Sequence, residues 1–151
     1  MRVLSRSKKA APFTALRLDV PVEPAQERRI REAYAAFVRG DLDDALASFM
    51  PDATFTNPDY AVEGGVRAGH EEVRAGFQAL HDEFEYSSLE IEQLVEGPDG
   101  VLVVVRFEGR GRLSGAPLDE RFFHVFRMRG EQVLDFAWFT SLEEARQAVG
   151  L

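Results

Sequence analysis

His124 is the side chain in this sequence whose surroundings best suit proton chemistry. It stands between Phe122 and Phe126, with Met128 beyond, at every second position of an alternating segment. Residues two apart on a strand share a face, so the imidazole has apolar neighbours. Desolvation disfavours the charged imidazolium and lowers the pKa, which suits a general base near neutral pH. A histidine simply hydrogen-bonded inside a core fits the same pattern, and the sequence leaves both readings open. The other two histidines offer less. His70 opens a helix and reads as a surface residue, while His81 lies beside Asp82 and Glu83 and reads as solvated. Three scattered histidines lack a ligand spacing such as His-x-x-x-His, so no metal is expected. The chain has no cysteine, which excludes disulfides, thiolate catalysis and zinc–thiolate sites. Asp59 and Glu63 fall in a loop, where carboxylates are ordinarily solvated. Gly64-Gly65 and Gly109-x-Gly111 lack the following helix that a phosphate loop requires, and there is no serine-nucleophile motif. No cofactor is expected.

The elements that must position these residues follow from periodicity. Ile30, Ala33, Tyr34 and Phe37 mark a first helix over 24–39, stopped by Gly40. Asp41 caps a second helix over 42–49, which Pro51-Asp52 ends. A short strand over 53–57 stops at Pro58, and 58–69 reads as a loop. Val73, Phe77, Leu80 and Phe84 form one stripe of a third helix over 70–84. The period then changes to alternation: strands over 87–96, 101–113, 120–128 and 132–140, in an antiparallel meander. The first half of the second of these is apolar on both faces, as in a strand central to its sheet. Ser141 with Glu144 is a capping box for a short C-terminal helix. Helices segregated from a meander give an α+β fold.

Composition narrows the class. A chain of 151 residues, 45% hydrophobic and 29% charged, suits one globular domain. Twelve Phe against one Trp and three Tyr point to a large apolar interior or an apolar cavity. Net charge is −8, yet residues 1–18 carry Arg2, Arg6, Lys8, Lys9 and Arg17 and no acid, so the remainder holds 13 cations against 26 acids. An acidic body repels phosphate backbones and argues against a nucleic-acid partner. The division expected is a basic extension over 1–22 and one domain over 23–151. The extension lacks the apolar region of a secretory signal, and no run approaches the ~20 apolar residues of a membrane span, so no membrane partner is expected. Absence of cysteine fits a reducing cytoplasm.

Several motifs recur in one order: Tyr34-Ala-Ala-Phe37-x-x-Gly40-Asp41-Leu42, Phe49-x-Pro51-Asp52-Ala53-Thr54-Phe55, Asn57-Pro58, Arg67-Ala68-Gly69-His70-Glu71-Glu72-Val73, Val105-Arg106-Phe107-Glu108-Gly109, and His124-Val125-Phe126-Arg127-Met128-Arg129-Gly130. Across about 25–145 the chain resembles the nuclear-transport-factor-2-like (NTF2-like) superfamily, in its SnoaL-like and ketosteroid-isomerase-like branch. The resemblance implies a cone: a curved antiparallel β-sheet wrapped around three N-terminal helices, with a central pocket. It puts Val103, Val105 and Phe107 on the inner face of the long strand. The same logic turns Phe122, His124, Phe126 and Met128 inward on the next strand, and Leu134, Phe136 and Trp138 on the last. Phe55 and Asn57 approach from the short strand, Phe37 from the first helix and Phe77 from the third. The outcome is an aromatic pocket for a small apolar molecule. Ketosteroid isomerases use an Asp base with a Tyr and a protonated Asp. The base position reads Asn57, which cannot accept a proton, and the Tyr position reads Ala33, one residue from Tyr34. The protonated-Asp position reads His124; a rival register would put Asp119 there, at the expense of a five-residue insertion inside a strand. The resemblance thus implies either a cofactor-independent isomerase, cyclase or hydrolase with His124 as acid/base helped by Asn57 and Tyr34, or a non-catalytic binding or dimeric interaction module.

The outward set of Arg106, Arg110, Arg112, Arg121 and Arg127, alternating with Glu108 and Glu120, suits cross-strand ion pairs or a dimer interface. Phe123 and Val125 lie beside them, so a homodimer through the outer sheet face is expected, as is common among the proteins resembled. Val3, Leu4, Phe13, Leu16 and Leu18 of the extension are available to dock across a partner.

Overall fold

The computed structural model of the chain describes residues 21–61 and 65–151. The expectations for the basic extension up to residue 20, and for Glu63 and Gly64, lie outside the described residues. Helix α1 is Pro24–Arg39. Proline at its first position has no N–H to lose, the Glu23 carboxylate accepts from Gln26 N at 3.0 Å, and Gly40 ends it at φ 85°. Asp41 accepts from Asp44 N at 3.0 Å and caps α2, Leu42–Ala45. This helix is shorter than expected. The chain turns after Ala45, and Phe49 already opens strand β1, Phe49–Asn57. Pro51-Asp52, read as a helix stop, is instead an exposed part of that strand. It falls in a register shift between Phe49 and Thr54, where no ladder bond needs a proline N–H. Strand β2, Gly65–Ala68, occupies the expected loop and pairs antiparallel with β1 at the sheet edge. Four residues, with Val66 62% exposed, give no alternation from which to read it.

Helix α3, His70–Glu83, carries the chain from that edge to strand β3, Phe84–Gly97, at the other. Strands β4 (Gly100–Gly111), β5 (Pro117–Arg129) and β6 (Gln132–Phe139) complete the meander. The six-stranded order is β2-β1-β6-β5-β4-β3, antiparallel except for the parallel pair β1 and β6. Two register shifts in β3, after Tyr86 and after Ile91, help bend the sheet. Gly109 is required at the first of them, since a Cβ there would stand 2.1 Å from the Glu85 carbonyl oxygen.

The sheet carries a core on each face. The concave face packs Val101, Val103, Val105, Phe107 and Phe126 against Ile30, Phe37 and Val73 of the helices. The convex face packs Leu102, Val104, Phe123, Val125 and Ala137 against Ala145 and Val149, on and just after helix α4, Leu142–Ala148. This second core explains why the first half of β4 is apolar on both sides. Ser141 Oγ accepts from Glu144 N at 3.3 Å, as its capping role requires. Phe123 and Val125, expected on the surface, are therefore buried, in the core to which α4 contributes. Beyond α4 the convex face is ionic. Arg121 grips Glu92 at 2.6 and 3.0 Å, Arg106 meets Asp119 at 3.3 Å and Glu108 at 3.4 Å, and Arg127 meets Asp135 at 3.0 Å. No helix among the described residues is long and apolar enough to cross a membrane.

Two parities differ from expectation. A bulge after Arg127 turns Val133 rather than Leu134 into the concave core. Glu120, expected outside with the arginines, pairs with Phe107 and faces inward.

Candidate functional site

A cavity of about 660 Å³ lies between the concave sheet face and helices α1 and α3. Tyr34 and Phe37 reach it from α1, Phe55 and Asn57 from β1, and Phe77 from α3. The sheet contributes Phe107 from β4, Phe122, His124 and Phe126 from β5, and Phe136 and Trp138 from β6. Val105 is fully buried within the concave core and is not part of the cavity wall. The sheet and the helices meet through aromatic rings. Phe77 stacks on Phe55 at 4.7 Å, stands edge-on to Phe37 and Phe49 at 6.0 Å, and is tilted against Phe136 at 5.3 Å.

Strand parity places His124 on this wall, opposite Val103 on β4 and Trp138 on β6. Only 7% of it is exposed. Its Nδ1 lies 2.6 Å from the Tyr34 hydroxyl oxygen, with the two rings near parallel at 17°. Phe136 stands edge-on to the imidazole at 4.9 Å. Burial without a countercharge pushes the His124 pKa down to about 3 and the Tyr34 pKa well above its ordinary value. Both groups are thus neutral across the ordinary pH range. The phenol is the better proton donor and the imidazole nitrogen the better acceptor, so the Tyr34 O–H is assigned as donor to Nδ1. The ring proton then sits on Nε2, which has no protein partner among the described residues. In this tautomer His124 offers the cavity an N–H rather than a lone pair.

Asn57 closes β1 one residue beyond the Thr56–Ala137 pairing, which sets it beside Trp138. The Trp138 Nε1–H donates to Asn57 Oδ1 at 2.7 Å. Tyr60 packs on Trp138 at 6.5 Å, and its hydroxyl oxygen accepts from Thr140 N at 2.9 Å, tying the 58–61 turn across this end of the cavity. His124, Trp138 and Asn57 thus form a row across three adjacent strands, with Tyr34 descending from the helix above.

The structure does not bring the remaining candidates into this row. His70 Nε2 lies 2.8 Å from the Phe49 carbonyl oxygen. His81 is half-buried against Phe37 and Tyr86, not solvated as expected. Asp119 faces the convex side, opposite Glu108 and paired with Arg106, as the preferred register requires. Asp59 is exposed. No cluster suited to a metal ion occurs among the described residues. Sequence reasoning missed the lining residues Glu83, Glu120, Arg67 and Thr140. The signal for Glu120 was available: it shares the parity of Phe122 and His124, and its charge outweighed that parity in the sequence reading.

The family model for the SnoaL-like domain matches residues 30–136. No curated protein matches the chain. Among solved structures, an NTF2-like protein from Burkholderia thailandensis is 26% identical, covering 87% of this chain and 100% of its own, with a TM-score of 0.64. A candidate SnoaL-like polyketide cyclase from a Jannaschia species is 19% identical over 89% of this chain and 97% of its own, with a TM-score of 0.69. A protein of ketosteroid-isomerase-like fold from Catenulispora acidiphila, in complex with trimethylamine, is 18% identical over 82% and 92%, with a TM-score of 0.64. The model match spans most of the domain and includes His124, Asn57 and Tyr34; the chain belongs to the SnoaL-like domain family, within the NTF2-like fold.

Proposed function

We propose that this protein holds a small, mostly apolar, carbonyl-bearing molecule in the aromatic cavity and acts on it without a cofactor, as an isomerase, cyclase or hydrolase. The observation that carries the reading is the neutral Tyr34–His124 pair, desolvated among phenylalanines and bonded at 2.6 Å. An uncharged imidazole N–H facing a substrate oxygen stabilises the negative charge that grows there during proton transfer or addition, and does so best where water is excluded. Tyr34 supports that donor through Nδ1. Its raised pKa opposes full transfer of its proton, so the pair stabilises charge by hydrogen bonding and not by forming a tyrosinate.

A second reading, a non-catalytic binding module, is favoured by one specific feature: the residue at the family's base position is Asn57, an amide. Native mass spectrometry of the purified protein decides first what is bound. Turnover of that compound then separates the readings. The enzyme reading expects a loss on the order of a hundredfold in kcat for a correctly folded His124→Phe variant; a bound compound whose NMR spectrum and chromatographic retention, as well as its mass, are unchanged after long incubation favours the binding module. For the assembly we propose a cytoplasmic homodimer meeting on the ionic strip around Arg106, Glu90 and Arg121, beside α4 and not on Phe123 and Val125. Sedimentation equilibrium of a Glu90→Arg variant tests it, with a monomer expected and an unchanged dimer against it.

A further inference from the structure

We infer that the ligand of this cavity carries two hydrogen-bond acceptors, carbonyl oxygens at opposite ends of one apolar ring frame, met by His124 and by Asn57. The inference rests on the reading of the cavity as a ligand site and adds the polarity of what it takes. An amide presents either its oxygen or its NH2, and which one faces the ligand is usually free to change. Here it is fixed. The indole N–H can only donate, so the Asn57 atom 2.7 Å from Trp138 Nε1 is the oxygen. The NH2 group is left over, has no protein partner among the described residues, and belongs to a residue of the cavity wall. His124 is constrained in the same sense by Tyr34, which occupies Nδ1 and leaves Nε2–H. Two neutral donors therefore face one cavity, which Arg67 also lines.

Their separation follows from the sheet. His124 pairs with Trp138, and Asn57 lies one strand further on, so two inter-strand steps, ~10 Å, divide their backbones on one concave face. Side chains converging from that distance straddle a ring system rather than grip one oxygen. The lining carboxylate on the same strand stands apart: Glu120 is four residues from His124 along β5, ~13 Å away.

Four probes of similar size test this: naphthalene, with no polar group; indole, a donor only; 1-tetralone, with one acceptor; and 1,4-naphthoquinone, with two. Equilibrium dialysis, with each probe quantified by its absorbance, reads the binding. Each acceptor is expected to tighten binding about fivefold, and indole to bind no better than naphthalene. Asn57→Asp keeps an oxygen for Trp138 and removes the donors. It should bring naphthoquinone to the affinity of tetralone or below while tetralone keeps its advantage over naphthalene. Equal binding of all four probes overturns the two-acceptor inference and leaves the ligand site standing. An undiminished preference for naphthoquinone in Asn57→Asp overturns the role of Asn57 and the inference with it. Failure of every probe to bind overturns both the inference and the ligand site.

Discussion

At the scale of single residues, the Tyr34–His124 contact has consequences that can be read without knowing the substrate. Removing one partner strands the other in an apolar site. Tyr34→Phe should destabilise the fold by about 1–3 kcal/mol, the cost of an unmet buried nitrogen, and Tyr34→Phe with His124→Phe should cost less than the sum of the two single changes. Urea denaturation of the four proteins in the cycle measures that coupling. The histidine also leaves a signature in pH. Its native pKa is about 3 and its unfolded value is the ordinary 6.5, so between these values the unfolded chain binds a proton that the native chain does not. Stability is therefore complete above pH 6.5 and falls as the pH drops toward 3, by at most about tenfold in the folding equilibrium per pH unit from this group. His124→Phe should lack that component. The comparison belongs between pH 7 and 5, above the range in which most carboxylates titrate, and identical slopes in the two proteins would contradict the buried neutral imidazole.

The inward turn of His124 was legible in the sequence because parity along β5 is strict and its neighbours are large and apolar. The bond to Tyr34 was not. Helix periodicity puts Tyr34 on the buried face of α1, but no sequence rule says which strand residue lies beneath it. Asn57 was legible as a pocket residue only through resemblance, and its amide orientation depends on Trp138, 81 positions away.

At the scale of elements, the long strands and the helices α1 and α3 followed from periodicity to within a few residues. The errors cluster where periodicity is short. The segment 42–49 satisfies a helical stripe for two turns, but Phe49 is drawn into the sheet by pairing with Val133, and a tertiary contact outweighs a weak local preference. Beta-strand β2 is too short and too exposed to announce itself. Gly109 shows the opposite case, a residue whose type was visible and whose necessity lies in a backbone contact. Gly109→Ala should force β3 and β4 apart beside Tyr86 and cost about 1–3 kcal/mol. Faster amide exchange confined to Phe84–Tyr86 and Gly109–Gly111 would locate the damage, and native-like exchange there would refute the steric account. Helix α4 was expected, but not what it covers. Deleting residues 141–151 should expose Leu102, Phe123 and Val125 and produce self-association visible by light scattering.

For the whole molecule, the fold is a container whose two cores divide the labour. The convex core under α4 and the ionic strip beside it hold the sheet in its curve, while the concave side is left with rings that line a void. A ligand that fills the void binds only the folded chain. At a concentration a hundredfold above its Kd it should add about 2.7 kcal/mol of stability, which for a chain of this length is a rise of roughly 5–10 °C in Tm. The hollow interior was anticipated from the phenylalanine excess together with the fold resemblance; composition alone could not separate a cavity from a solid core.

The chemistry of the cavity turns on the protonation of one ring in that interior, and nitrogen-15 NMR of the imidazoles reads it directly. The chain has three histidines, and the His124→Phe variant assigns the signal of interest. An Nδ1 shift of the unprotonated, hydrogen-bond-accepting kind, with a proton on Nε2, unchanged from pH 8 down to pH 5, is the predicted result. A proton on Nδ1, or a titration near pH 6.5, would contradict it.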